Sequence, residues 1–295
     1  MTITAEIIKD STNPLGIRLT TFVLRYPRFI HAELMTHRAF SRNASSSRAI
    51  PVEKMIEQVQ TDPAMPVHWG ANRPGMQARE ELNDRDKVRA EWQWLSARDF
   101  AIGKAKDLIE LGLHKQVANR ILEPWMHITV LVTATDWSNF FSLRLHPDAQ
   151  PEFQQLARQM GRAFLRSTPE SLEVGQWHLP FVSDTEREKH SEDDCIKFSV
   201  ARSARVSYNN HDGTTPVPEK DINLHDKLVV QVPLHASPAE HPCMAVKGDR
   251  YSGNIRGFLQ YRKTLPTENI RVFPWDLDAD LYAELLGEGV TGYDR

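Results

Sequence analysis

Cysteine is scarce in this chain. Cys195 and Cys243 are the two among 295 residues, too few for a disulfide framework, which favours a reducing compartment. No run approaches the roughly eighteen apolar residues of a membrane span. The first residues, Met1-Thr2-Ile3-Thr4-Ala5-Glu6, lack the basic start of a signal peptide. A cytoplasmic protein with no membrane partner is expected. No lysine- or arginine-rich block interrupts a formal charge of −3, which argues against a nucleic-acid footprint but leaves room for a mononucleotide held by local arginines. A glycine-rich phosphate loop is absent too, and the twelve histidines make no HExxH pair or cluster with cysteine, so no metal site is expected. What remains is 40% hydrophobic and 25% charged, enough for one large domain or two small ones.

The most informative stretch is Thr36-His37-Arg38-Ala39-Phe40-Ser41-Arg42-Asn43-Ala44-Ser45-Ser46-Ser47-Arg48. Ahead of it, residues 18–26 alternate, with Leu19, Thr21 and Val23 on one face and Thr20, Phe22 and Leu24 on the other. That pattern reads as a strand, which Pro27 ends. Phe29, Ile30, Glu33, Leu34 and His37 follow at helical spacing. The stretch itself has almost nothing apolar beyond Phe40 and reads as a loop that builds no core. It is either a solvated surface or a grip for phosphate and planar nucleotide groups, for which arginine forks and hydroxyls are the inventory.

Further on, residues 77–112 read as a long helix, 112–124 as a new helix after Gly112, 129–135 as a strand and 152–165 as an amphipathic helix. A Pro/Gly-rich connector spans 62–76. A polar segment over 168–195 marks the expected division, with one part at 1–183 and another at 184–295.

The motif resembles that of the flavin-dependent thymidylate synthases, which carry Arg-His-Arg, seven residues, Ser, and a further Arg two positions on. Arg38, Ser46 and Arg48 stand at those spacings with His37 in register. Thr36 replaces the first arginine, and Ala44 the usual acidic residue. A second resemblance lies at Asn139, Arg144 and Ala149-Gln150, where Asp148 replaces a histidine. Arg120 matches a substrate arginine on the helix before, and is equally open to a structural salt bridge. Beyond 195, Ala201-Arg202-Ser203-Ala204-Arg205-Val206-Ser207-Tyr208, a helix over 219–231 and His235-Ala236-Ser237-Pro238-Ala239-Glu240-His241 resemble the family's opening third. A strand at 243–246 and a helix over 255–262, ending Gln260-Tyr261-Arg262, then resemble a second copy of the strand–helix–triplet unit, with Glu268 at the acidic position. The family's segments thus stand in permuted order.

The resemblance implies an α+β fold, an antiparallel sheet flanked by long helices. It implies reductive C5 methylation of dUMP to dTMP using FAD, with methylenetetrahydrofolate and NADPH as co-substrates, in a homotetramer whose sites lie between subunits. It assigns Arg144 and Ser46 to catalysis. Glu33, Ser46, Ser47, Arg48, Arg120 and Arg144 fall to the nucleotide, and Thr36, His37, Arg38, Asn139, His235, Ser237, Arg262 and Glu268 to the flavin. Glu268 would supply the carboxylate missing at Ala44, and Arg262 the guanidinium missing at Thr36, if the two copies face each other. Another pyrimidine nucleotide such as dCMP, a hydroxymethyl product, or a relative without catalysis are the other readings. Cys243, in His241-Pro242-Cys243-Met244, is open to two roles, a buried structural thiol or a nucleophile at C6.

Overall fold

A computed structural model describes residues 3–75, 77–206, 217–230, 234–266, 268 and 283. The expected motif residues Ser207, Tyr208 and Gln231 lie outside them. β1 (Thr4–Thr12) and β2 (Arg18–Pro27) form an antiparallel hairpin. Its turn is built by the Asn13 side chain, which accepts the N–H groups of Leu15 and Ile17 at 3.0 Å each, while Gly16 takes φ +73°. After Pro27 a short 3-10 turn leads into α1 (His31–Met35).

The polar stretch then departs from expectation. Residues Ser41–Ala44 form β3 at the edge of the main sheet. Ser41, Asn43, Ser45 and Ser47 are all buried. Ser41 and Asn43 share the inward face of β3, Ser45 and Ser47 continue it past the strand's end, and buried polar groups are tolerable there because each finds a hydrogen bond. Asn43 Nδ2 donates to the Ser203 carbonyl at 2.5 Å, and Ser45 Oγ accepts the N–H of Thr129 at 3.1 Å.

α2 (Val52–Thr61) and α3 (Asp84–Glu110) follow, α3 capped by Asn83, whose side chain accepts the N–H of Asp86. The expected helix over 112–124 is shorter, α4 (Lys115–Ala118), and tightens into 3-10 geometry around Pro124. β4 (His127–Ala134), α5 (Ser138–Arg144), α6 (Pro151–Arg166), β5 (Glu170–Ser171) and β6 (Trp177–His178) complete the first part. The main sheet runs β3-β4-β2-β1-β5, antiparallel except for the β1–β5 edge.

Past these come α7 (Asp184–Lys189), α8 (Glu192–Arg205), α9 (Pro218–Val230), β7 (Cys243–Ala245), β8 (Tyr251–Ser252), β9 (Ile255–Arg256) and β10 (Phe258–Gln260). The helix expected over 255–262 is therefore replaced by strands. Gly253-Asn254 makes a two-residue hairpin turn between β8 and β9, with Gly253 at φ +62° and Gly257 at φ +73°. Positive φ at both glycines ends any helical run. The second strand–helix–triplet copy is thus not a structural repeat of the first.

Both faces of the sheet are covered. On one, Phe22, Leu24 and Tyr26 of β2 and Val130 and Val132 of β4 pack against Phe140 of α5 and Phe153, Leu156 and Met160 of α6. On the other, Leu19 joins Cys243, Ala245 and Phe258. Beside it runs a buried polar chain: Ser11 bonds His178, His178 bonds Thr21, Thr21 bonds Thr133, and Thr133 bonds His241, over 2.7–3.0 Å. The residues on either side of the 183/184 division share a core, since Trp177, Leu179 and Val182 pack with Cys195, Ile196 and Phe198. β6 also pairs directly with β7.

Candidate functional site

α1 ends in a turn closed by the N–H of His37 on the Leu34 carbonyl, 3.1 Å. This puts the imidazole among rings: Phe40 at 5.5 Å and Phe153 at 6.1 Å between centroids, both stacked, and Phe140 edge-on at 5.1 Å. Burial, with the positive charges of Arg144 and Arg42, lowers its pKa from 6.5 to about 4. A neutral ring must carry one proton and one lone pair. Arg144, the last residue of α5, donates from Nε to His37 Nε2 at 3.0 Å, so the lone pair is on Nε2. Its Nη1 donates to Glu33 Oε2 at 2.8 Å, and the guanidinium lies 4.5 Å above the Phe153 ring. Two partners and an aromatic floor fix the plane of the fork. Among the described residues Nη2 has no partner.

Arg144 and Glu33 open onto a cavity of about 910 Å³, lined also by His68, Gln77, Arg79, His146 and Asp148. His37 faces a smaller one of about 280 Å³ with Thr36, Arg38, Phe40, Asp136, Asn139 and Phe140. The His37–Arg144 hydrogen bond joins the two walls. Of the residues expected at the site, Glu33 and His37 hold Arg144, and Thr36, Arg38 and Asn139 line the adjoining cavity with His37.

The serine–arginine group lies elsewhere in the same chain. Glu123 collects it, accepting from Arg120 Nη1 at 2.8 Å and from Ser47 Oγ at 3.4 Å and pairing with Arg28 at 3.0 Å. Ser46 Oγ accepts the N–H of Arg48 at 3.4 Å, and Arg48 itself is exposed. This group sits by Thr129, whose carbonyl accepts the Ser45 N–H. The Arg144 group instead sits by Ala134, whose carbonyl binds the Trp137 indole that packs on Phe40. Thr129 and Ala134 of β4 are five residue steps apart, about 17 Å of strand at ~3.3 Å per step.

The histidine loop reaches β3. Ser237 Oγ donates to Asn43 Oδ1 at 3.2 Å, while His235 is exposed. Gln260 Nε2 donates to Ser41 Oγ at 2.9 Å. Arg262 pairs with Glu240 at 2.6 Å and with Glu268 at 3.3 Å. The structure directs these two charges to each other and to Glu240, rather than to Thr36 and Ala44. Cys243 is fully buried, its thiol pushed well up by burial and by Glu240, which makes a poor nucleophile. The sequence reading missed Gln77, Arg79 and Asp136 as cavity residues, for single polar residues in a connector or a helix lead-in carry no periodicity. The alternation begun by Ser41 and Asn43 was a usable signal for the buried face of β3.

The sequence profile of the thymidylate synthase complementing protein family matches residues 7–170. The chain belongs to the thymidylate synthase complementing protein family. This is the family of the flavin-dependent thymidylate synthases, so the family resemblance of the motifs within residues 7–170 holds. Both Arg144 and the Thr36–Arg48 motif lie inside the matched residues. Two solved structures of the UMP/dUMP methylase PolB from Streptomyces cacaoi are similar to it. The form bound with 5-Br UMP is 19% identical, covering 56% of this chain and 89% of that one, with a TM-score of 0.46. The form with 5-Br dUMP is 19% identical, covering 56% and 90%, with a TM-score of 0.47. No curated protein matches the chain. The fold is the expected mixture of helices and antiparallel sheet. Among the described residues no helix is long and apolar enough to cross a membrane.

Proposed function

We propose that this chain is a flavin-dependent pyrimidine-nucleotide C5 methyltransferase, converting dUMP to dTMP with methylenetetrahydrofolate as carbon donor and NADPH as reductant. The observation that carries the reading is Arg144, held by Glu33 and His37 at the wall of the 910 Å³ cavity within the family-matched residues. A guanidinium stays charged and presents a planar fork. Facing a uracil edge, Nη2 would favour ionisation at N3 and make C5 more electron-rich. Neutral His37 would keep the fork in plane without competing for the ligand, and Phe153 would keep water from beneath it.

Arg38 and Asn139 around the smaller cavity would be donors to one edge of a flavin, with Thr36, whose hydroxyl hydrogen goes to the Glu33 carbonyl, as an acceptor beside them and Phe40 and Phe140 as the apolar wall. A bound flavin would supply the hydride that takes the transferred carbon to a methyl group. Ser46, Arg48 and Arg120, at the far end of β4, would serve the Arg144 site of a second copy, in a tetramer.

The test is the visible spectrum of the purified protein, followed by product analysis with dUMP and dCMP in parallel. Bound flavin and dTMP formation are expected. A colourless protein that turns over neither nucleotide would end the reading.

A further inference from the structure

Residues 69–75, read from sequence as a connector, and 77–82 run antiparallel to each other. The Leu82 N–H donates to the Trp69 carbonyl at 2.8 Å, the Ala71 N–H to that of Glu80 at 2.7 Å, and Gly70 pairs antiparallel with Glu81. The two arms touch at Gly70, where a Cβ would lie 2.3 Å from the Cβ of Ala78. The base is tied down by the Val67 N–H on Glu152, a buried carboxylate of α6, at 2.8 Å. The far arm crosses to the turn between α5 and α6. There Arg79 Nη2 donates to Asp148 Oδ1 at 2.9 Å, and Gln77 Nε2 to the Asp148 carbonyl at 3.4 Å. Gly70, Gln77 and Arg79 thereby line the same cavity as Glu33 and Arg144.

We propose that this hairpin is a substrate-gripping strap, and that Arg79 is a second anion contact in the Arg144 cavity, passed from Asp148 to the phosphate of a nucleoside monophosphate. The proposal rests on the pyrimidine-nucleotide reading and goes past it. The two arginines differ in how they are held. Arg144 is clamped by two partners over a ring, with a side chain 17% exposed. Arg79 has one carboxylate partner and a side chain 77% exposed. An exposed ion pair of that kind is weak, whereas a phosphate offers a guanidinium two oxygens at once. A fixed cation suits the ring, and a hinged one suits the phosphate. Asp148, which stands where the related motif has histidine, then acts as the resting partner of Arg79.

Calorimetric titration with dUMP and with 2′-deoxyuridine, which lacks the phosphate, tests this. Arg79→Ala should weaken dUMP binding by roughly tenfold or more and leave deoxyuridine unchanged, while Asp148→Asn should bind dUMP at least as tightly as the parent. If Arg79→Ala binds dUMP like the parent, or loses both ligands equally, the proposal is overturned. Loss of dUMP affinity in Asp148→Asn to match Arg79→Ala would also overturn it, by making the pair a structural tie. A parent protein that binds neither dUMP nor dCMP would instead remove the pyrimidine-nucleotide reading, and this proposal with it.

Discussion

Arg144 and His37 are 107 residues apart in sequence and 3.0 Å apart in space, guanidinium Nε to imidazole Nε2. The direction of that bond sets the chemistry of both groups. His37 is a neutral acceptor because it is buried, with the Arg144 cation beside it, and Arg144 has a fixed plane because His37 and Glu33 hold it.

Replacing Arg144 by alanine should abolish turnover of dUMP while bound flavin stays near its parent level. Removing a charge-assisted contact to an anion costs roughly 2–5 kcal/mol. The His37 pKa should rise from about 4 toward its ordinary 6.5 in the same variant, since one of the charges that lowers it is gone. Nucleotide titration, flavin absorbance and the histidine NMR resonance check the three parts. Loss of flavin with nucleotide affinity intact would show the arginine to be misassigned.

Cys243→Ala should retain most activity, and Ser46→Ala should lose part of it. The thiol is fully buried, with Sγ 3.4 Å from the Glu240 carbonyl, and cannot reach a substrate. A folded Cys243→Ala protein with no activity at all would restore covalent attack as the mechanism.

Acid should destabilise this protein well above the carboxylate range. Burial is the first cause that lowers His31, His37 and His127 to about 4 and His241 to about 3, and it puts His178 well below 6.5. In each case the folded pKa lies below the unfolded one, so the unfolded chain takes up protons first. The stability is present above pH ~6.5 and drains away as pH falls toward 4, by up to about 1.4 kcal/mol per pH unit for each of the fully buried His178 and His241 and by less for the other three, which solvent screens. Urea midpoints measured from about pH 7.5 to 5 should fall steeply. A flat profile would contradict the buried neutral assignment.

Cutting the chain after residue 185 should leave a first part that neither melts cooperatively nor holds flavin. The cut removes β7 from beside β6, His241 from Thr133, and Cys195, Ile196 and Phe198 from Trp177 and Val182. Circular dichroism melts and flavin absorbance of the truncated protein are the measurement. A soluble fragment with a sharp transition and stoichiometric flavin would show that the second part is dispensable.

The sequence alone determined the elements with a clear apolar rhythm. Alternation over 18–26 and the stop at Pro27 match β2, and the apolar face of 152–165 matches α6, because burial of one face is written as a local period. Motif spacing sufficed for the family, since Arg38, Ser46 and Arg48, then Asn139 and Arg144, are intervals countable along the chain. Glycine and polar alternation were read less well. Gly253-Asn254 and Gly257 turned an apparent helix into strands, and of the polar residues that looked solvated, Ser41 and Asn43 are the buried side of β3 and Ser45 and Ser47 are buried just past it. Which polar groups meet was decided only in three dimensions. Arg144 chooses Glu33 and His37 over Ser46 because β4 holds the two groups at opposite ends, and Arg79 reaches Asp148 because a hairpin closed at Gly70 carries it there. A hydrogen bond depends on position to within a few tenths of an ångström, and that precision comes from the packed sheet and helices rather than from any pattern along the chain.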